Sequence, residues 1–290
     1  MISSSQEHTK MSTLGISTSE ILRINKDDQI FTKDLVVKEE PLEIRIGYGP
    51  ETKRQEFALA VTMRTPGADE ELVRGFLLSE GIIDSAEDIL SARHCLQAKQ
   101  PENTLKVELK NDVFFDEKKF QRNFYTSSSC GFCGKAALET VALKVPEFSV
   151  QNGIPISKET ILKLSDQITQ QQSNFKVTGG IHAAALFSAD GNLLMLREDI
   201  GRHNALDKLI GTGSIKKMEW GKTILWLSGR LGFELIQKSA MVGIKTIVGL
   251  GAPSSLAVEL AQQQNIILIG FLKDNSFNVY SNPDKIDRQN

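Results

Sequence analysis

Apolar and polar positions change their spacing along this 290-residue chain, and the change divides it into two parts. From about Gln29 to Lys110 the apolar residues fall in short β-branched runs, LVVKEEPLEIRIGY, FALAVTMRT and LKVELK, which predict strands. One stretch, DEELVRGFLLSEGII, breaks that rhythm. Its Leu72, Phe76, Leu77 and Ile82 recur at spacings near those of a helix, and Asp69, Glu70 and Glu71 suit a helix's positive N-terminus. Together these predict a compact α+β unit, closed by the polar connection DEKKFQRNFYTSSS.

Beyond that connection the segments alternate. A helix is predicted from the stretch SSCGFCGK to about Val145 and another over SKETILKLSDQITQQQ, followed by a hairpin turning at Asp190-Gly191. TILWLS, IKTIVGL and IILIGFL read as buried strands separated by helical LGFELIQKSAMV and SSLAVELAQQ. Such alternation implies an α/β layer with a largely parallel sheet. The expected divisions are a mobile polar tail over residues 1–22, a small α+β domain over 23–122 and an α/β domain over 123–290.

Composition narrows the function classes. With 40% hydrophobic residues the chain can bury a substantial core, and 36 acidic against 34 basic residues leave a net charge of −2. No whole-chain field therefore draws it to nucleic acid or to an anionic membrane. The first twenty residues lack the apolar segment of a signal peptide, and no run is long enough to span a bilayer. Three cysteines and no export signal argue against a disulfide framework and for the cytoplasm.

Two of those cysteines, Cys130 and Cys133, form the C-x-x-C of SSCGFCGK. At a helix start Cys130 would meet unsatisfied backbone N–H groups, the positive dipole end and Lys135, all of which favour thiolate over thiol. Gly131 and Gly134 leave room for a substrate or a protein to approach. Two rival readings stand beside this one. The pair could be half a zinc site completed by His94 and Cys95, or a redox dithiol of the thioredoxin kind, although about 125 residues precede it where that motif follows a first strand. Four further clusters carry polar groups. VTGGIHAAAL places His182 at a strand opening, a position where histidine usually serves structure. REDIGRHNALDK packs Arg197, Glu198, Asp199, Arg202, His203 and Asn204 before a helix, more groups than capping needs, and suits an anionic ligand. LSGRLGFELIQKSA leads from strand through Ser228-Gly229-Arg230 into a helix, the geometry of a phosphate site, without a P-loop or dinucleotide fingerprint. GFLKDNSFNVYSNP places Lys273, Asn275 and Asn278 after the last buried strand.

In order, SSCGFCGK, TGGIHAAAL, REDIGRHNALDK, SGR with FELIQKSA, APSSLAVELA and GFLK ending in VYSNP resemble the FdhD family of formate dehydrogenase accessory sulfurtransferases. PLEIRI and EELVRGFLLSEGII fit the same family, so the resemblance spans about residues 40 to 283. It implies a small β-rich first domain and, for the second, a cytidine-deaminase-like three-layer α/β/α sandwich. It further implies a protein that takes sulfur from a cysteine desulfurase as a persulfide and passes it to the molybdenum or tungsten cofactor carrying pterin guanine dinucleotides, for formate dehydrogenase. Cys130 maps onto the persulfide carrier and Cys133 onto its assistant. Phe271, Leu272, Lys273, Asp274, Asn275 and Ser276 map onto a cofactor-binding segment, and a homodimer is implied.

On that reading Arg197, Arg202, His203, Arg230 and Lys273 are candidates to hold cofactor phosphates, and Asp199, Asn204 or Asp274 to meet a guanine edge, so guanosine diphosphate should bind as a fragment. Cys95 is expected to be a buried small hydrophobe, and no structural metal is expected. The deaminase fold supplies a rival from another class. Zinc deaminases need H-x-E and P-C-x-x-C, whereas Cys130 follows Ser129 and His182 is followed by two alanines, so the proton carrier is missing. A cofactor-binding chaperone without sulfur chemistry is the third alternative.

Overall fold

The computed structural model describes residues 15–120, 145–146, 148 and 154–287. The C-x-x-C, the helix expected from it to about Val145 and the domain division at 122–123 lie outside the described residues.

Strands β1 (Ile16–Ile24) and β2 (Gln29–Val37) pair antiparallel from Ile16 against Val37 to Ile24 against Gln29. Residues 16 to 22, expected in a tail, thus form one side of a ribbon. Interleaved Ser and Thr diluted the apolar signal of Ile16, Ile21 and Ile24. A four-stranded sheet follows, built from β3 (Glu40–Tyr48), β4 (Gln55–Arg64), β5 (Ile89–His94) and β6 (Thr104–Leu109) in the order β4-β3-β6-β5. Helix α1 (Asp69–Ser79) covers it, with Leu72, Val73 and Leu77 joining Leu42, Ile44, Ile46, Leu105 and Val107 in one core. The helix ends at Ser79 because Gly81 turns into the left-handed region at φ +62°, and Ile82 reaches the same core from beyond the turn.

The second unit opens with β7 (Ile156–Ser157) and helices α2 (Lys158–Gln171) and α3 (Ser173–Thr178). The hairpin β8 (His182–Ser188) and β9 (Leu193–Asp199) leads into α4 (Arg202–Ile215). Then come β10 (Thr223–Leu227), α5 (Phe233–Met241), β11 (Thr246–Gly249), α6 (Ser255–Gln263), β12 (Ile267–Lys273) and β13 (Ser276–Ser281). The short β14 (Ile286–Asp287) returns to pair with β7.

Six of these strands make one sheet in the order β13-β12-β11-β10-β8-β9. Only β10, β11 and β12 pair in parallel within this sheet, which corrects the expectation of a largely parallel sheet. Both ends are hairpins, and a short turn can only return the chain antiparallel. At the β8–β9 turn Gly191 stands at φ +80°, and Gln167 of α2 clasps it by donating to the Gly191 carbonyl and accepting from the Leu193 N–H. Helices α4, α5 and α6 bury Leu206, Leu209, Leu235, Ile236, Ala257 and Ala261 against one face of the sheet. On the other face α2 packs Ile161, Leu164 and Ile168 on Phe187, Trp226 and Ile269. The result is a three-layer α/β/α sandwich. No helix among the described residues is long and apolar enough to cross a membrane.

The two units meet where α1 crosses α4. A Cβ on Gly75 would overlap the Asp207 carbonyl, and one on Gly211 would overlap the Glu71 carbonyl, so the two backbones touch at glycines.

Candidate functional site

Strand direction decides which loops come together. β10, β11 and β12 run parallel, and β9 runs with them because β8 is antiparallel to both β9 and β10. The segments after β9, β10, β11 and β12 therefore leave from one edge, where β8 also begins. That edge is the usual place for a ligand in an α/β sheet. Backbone bonds tie its loops together: Leu250 N–H donates to the Leu227 carbonyl (3.1 Å), Gly251 to Gly229 (3.2 Å) and Phe271 to Gly251 (3.2 Å). Gly251 must be glycine, since a Cβ there would press on the Gly229 carbonyl and the Arg230 backbone.

The motif REDIGRHNALDK divides between two jobs. Arg197 makes a two-pronged ion pair with Glu71 of α1 (2.7 and 2.9 Å), so it is a joint between the units and not a free phosphate ligand. Glu198 accepts from the first N–H groups of α3, and burial pushes its carboxyl up from the ordinary range. Asp199 is fully buried and fully occupied, accepting from Thr65 N–H, Gly201 N–H and the Asn204 amide while pairing with Lys208 at 2.7 Å. Asn204 also donates to the Met63 carbonyl (2.7 Å) and accepts from the Thr62 hydroxyl. Neither Asp199 nor Asn204 is open to a guanine edge, which corrects that expectation. Arg197, Asp199 and Asn204 of the motif thus clamp the first unit onto the second.

Arg202 and His203 remain. They open α4, whose N-cap Gly201 supplies no side chain to its first N–H groups. Arg202 is half-buried and makes no hydrogen bond or ion pair among the described residues, its charge acting only at longer range on Glu234, while His203 Nε2 lies 3.0 Å from Glu234 at the start of α5. The bond from His203 holds the Glu234 carboxyl below its ordinary range. Helix α5 likewise starts at a glycine, Gly232, with no side-chain cap, and a Cβ there would meet nothing. Arg230, exposed on the loop before it, likewise makes no hydrogen bond or ion pair among the described residues. The edge therefore collects two arginines and two uncapped helix starts, an arrangement suited to an anion.

His182 stands on this edge between the ends of β9 and β10. It opens β8 half-buried, with Nδ1 3.5 Å from the Ser228 hydroxyl and its ring against Gly229. Burial, then Arg202 and His203, lower its basicity below that of an ordinary histidine, so it is neutral at pH 7. Ser228 Oγ in turn accepts from Ala183 N–H at 2.9 Å.

The segment from Phe271 to Ser276 forms the end of β12 and its turn into β13. Phe271 is exposed and adopts φ +54°, a conformation rare for a bulky residue and found where function holds strain. Lys273, Asp274, Asn275 and Ser276 are exposed at the turn, but Leu272 is buried in the core against α2 and cannot face a ligand. His94 Nε2 lies 3.4 Å from Asp69 within the first unit, and Cys95 beside it is half-buried, not the buried hydrophobe expected. Among the described residues no three His, Cys, Asp or Glu side chains converge as a metal site would need. Sequence reasoning missed the partners Glu71 and Glu234, whose separations from Arg197 and His203 along the chain leave no local signal.

Comparison with known proteins adds the following. The model of the FdhD/NarQ family matches residues 37–287. The chain is 43% identical over 276 residues to a sulfur carrier protein FdhD of Mycolicibacterium paratuberculosis, covering 93% of this chain and 98% of the relative. It is 40% identical to one of Sulfurisphaera tokodaii, covering 94% of this chain and all of the relative. A crystal structure of a candidate formate dehydrogenase accessory protein from Desulfotalea psychrophila matches with a TM-score of 0.70 at 22% identity, covering 93% of this chain and 99% of that one, and so shares the fold.

Proposed function

The chain belongs to the FdhD/NarQ family, and from that premise we propose that it carries sulfur on Cys130 to a molybdenum or tungsten cofactor bearing pterin guanine dinucleotides, in the service of formate dehydrogenase. The Cys130 thiolate attacks the outer sulfur of a persulfide on a cysteine desulfurase. The S–S bond there breaks, the desulfurase thiolate leaves, and Cys130 holds the outer sulfur as its own persulfide. Delivery follows when the Cys133 thiolate attacks the inner sulfur. A Cys130–Cys133 disulfide forms, the outer sulfur leaves as sulfide to the cofactor, and an external thiol reductant returns two electrons to reset the pair. The protein acts in the cytoplasm as a homodimer.

The cofactor is the substrate of this reaction, and one observation supports its placement: Arg202 and Arg230, without hydrogen bond or ion pair among the described residues, lie at the starts of α4 and α5, neither of which has a side-chain cap, a set suited to pyrophosphate. Phe271 offers an aromatic face to a flat ring, and Lys273 and Asp274 lie next to it for the ring edge. No Walker sequence is present, so a nucleotide is held and not hydrolysed.

Two measurements test the two halves. After incubation with cysteine and a desulfurase, mass spectrometry should find an adduct of about 32 Da, one sulfur atom, on the Cys130 peptide, and Cys130→Ala should neither load nor activate a co-expressed formate dehydrogenase. Calorimetry should show guanosine diphosphate binding in preference to adenosine diphosphate, weakened about tenfold or more by Arg230→Ala while sulfur loading persists. A Cys130→Ala protein that still activates its client removes the carrier assignment; equal affinity for the two nucleotides removes the guanine site.

A further inference from the structure

The loop between β4 and α1, Thr65-Pro66-Gly67-Ala68, is strained and stapled at both ends. Gly67 stands at φ +104° and Ala68 at φ +56°, and a left-handed residue that carries a side chain is uncommon outside places where function holds it. Arg64 and Asp69, both buried, close the loop with a two-pronged ion pair of 2.9 and 2.8 Å. The residue this arrangement presents to the second unit is Thr65. Its N–H donates to Asp199 Oδ2 (3.1 Å), its hydroxyl oxygen accepts from Ile200 N–H (3.0 Å) and its carbonyl accepts from Lys208 Nζ (2.8 Å). Asp199 and Ile200 lie in the turn that ends β9 and opens α4, and Lys208 lies within α4.

We propose that Thr65 is a positioning residue of the ligand edge, through which the first unit sets where Arg202 and His203 stand. The inference rests on the ligand reading above and deepens it. The local bonds of the turn, from Gly201 N–H and the Asn204 amide to Asp199 Oδ1, fix its curvature but not its place in the molecule. The bonds from Thr65 fix its place, and the one to Ile200 ends two residues before Arg202. Thr65 is only 3% exposed, so water does not stand ready to replace a lost partner. A turn released from Thr65 would carry both Arg202 and His203 away from where they meet the ligand, and a site that works by orientation is sensitive to such small displacements. The strain at Ala68 then has a use: it aims Thr65 across the boundary between the units.

Calorimetry with guanosine diphosphate on the full chain tests this. Thr65→Val keeps the shape and both backbone bonds and deletes only the acceptor of Ile200 N–H, so affinity should fall about tenfold. Thr65→Ser restores that acceptor, and its affinity should return to within about threefold of the wild type. Val107→Ala hollows the core of the first unit away from the turn, and it should lower thermal stability comparably while leaving affinity within about twofold. Should circular dichroism find Thr65→Val unfolded, Thr65→Ala takes its place with the same loss expected, since the space it vacates admits a water to Ile200 N–H. A wild type that binds no guanosine diphosphate overturns the ligand reading and this role with it. Where the wild type binds, an unchanged affinity in Thr65→Val, a Thr65→Ser protein as weak as Thr65→Val, or an equal loss in Val107→Ala overturns the positioning role alone.

Discussion

His182 sits in a motif of glycines and alanines where sequence offers it a structural role as readily as a chemical one. Its setting makes it a neutral group at an otherwise cationic edge: burial comes first, and Arg202 and His203 add to it. The consequence for stability has a definite sign. The folded protein binds a proton at His182 less readily than the unfolded chain, whose histidine titrates near pH 6.5. Stability from this residue is therefore complete above that value and is lost as pH falls from there through the lower folded-state value. His182→Gln, which keeps a donor of similar reach, should lose less melting temperature between about pH 7.5 and 5.5 than the wild type does. Parallel losses would mean that the ring's surroundings do not oppose its charge.

The crossing of α1 and α4 sets two effects of one substitution against each other. Replacing a mid-helix glycine by alanine ordinarily gains up to about 1 kcal/mol of helix propensity. At Gly75 and Gly211 the added carbon would lie inside a backbone carbonyl of the facing helix, and neither helix can yield without lifting its apolar face off a sheet. Overpacking of that kind costs about 3 kcal/mol or more, so the steric effect wins. Gly211→Ala should lower the stability measured by urea unfolding by about 2 kcal/mol or more. A neutral or stabilised variant would show that the two helices part freely.

Across the whole molecule, the joint is electrostatic as well as steric. Lys238 of α5 is buried and reaches Asp207 of α4 (3.0 Å), and Ser79 (2.9 Å) and Glu80 (2.6 Å) at the end of α1. Burial alone would strip its proton, but Asp207 and Glu80 outweigh that and hold the ammonium above the ordinary lysine range. Removing the lysine leaves the buried Asp207 carboxylate without its cation, a loss of about 3–5 kcal/mol for Lys238→Ala. Because the network spans both units, they should unfold together. Fluorescence of Trp220 and Trp226, both in the second unit, and far-ultraviolet circular dichroism of the whole chain should shift by the same amount. If the tryptophan signal alone moves, the units are not coupled.

Period and turn chemistry are local, and they were legible: the runs of β4, β6, β10, β11 and β12, helix α1 with its acidic start, and the turn at Gly191 follow from residues within a few positions of one another. The density of REDIGRHNALDK was equally visible, but its meaning was not. Arg197, Asp199 and Asn204 find partners at Glu71, Thr65 and Met63, more than a hundred positions away, and only the docking of α1 on α4 turned those polar groups inward. Arg202 was left without a hydrogen bond or ion pair among the described residues, and the packing of α2 on the other face of the sheet made Leu272 a core residue amid an otherwise exposed turn. Sequence alone determined which groups the chain possesses and the elements that carry them. Tertiary structure decided which of those groups are satisfied, because burial and pairing depend on segments that are distant along the chain and adjacent in space.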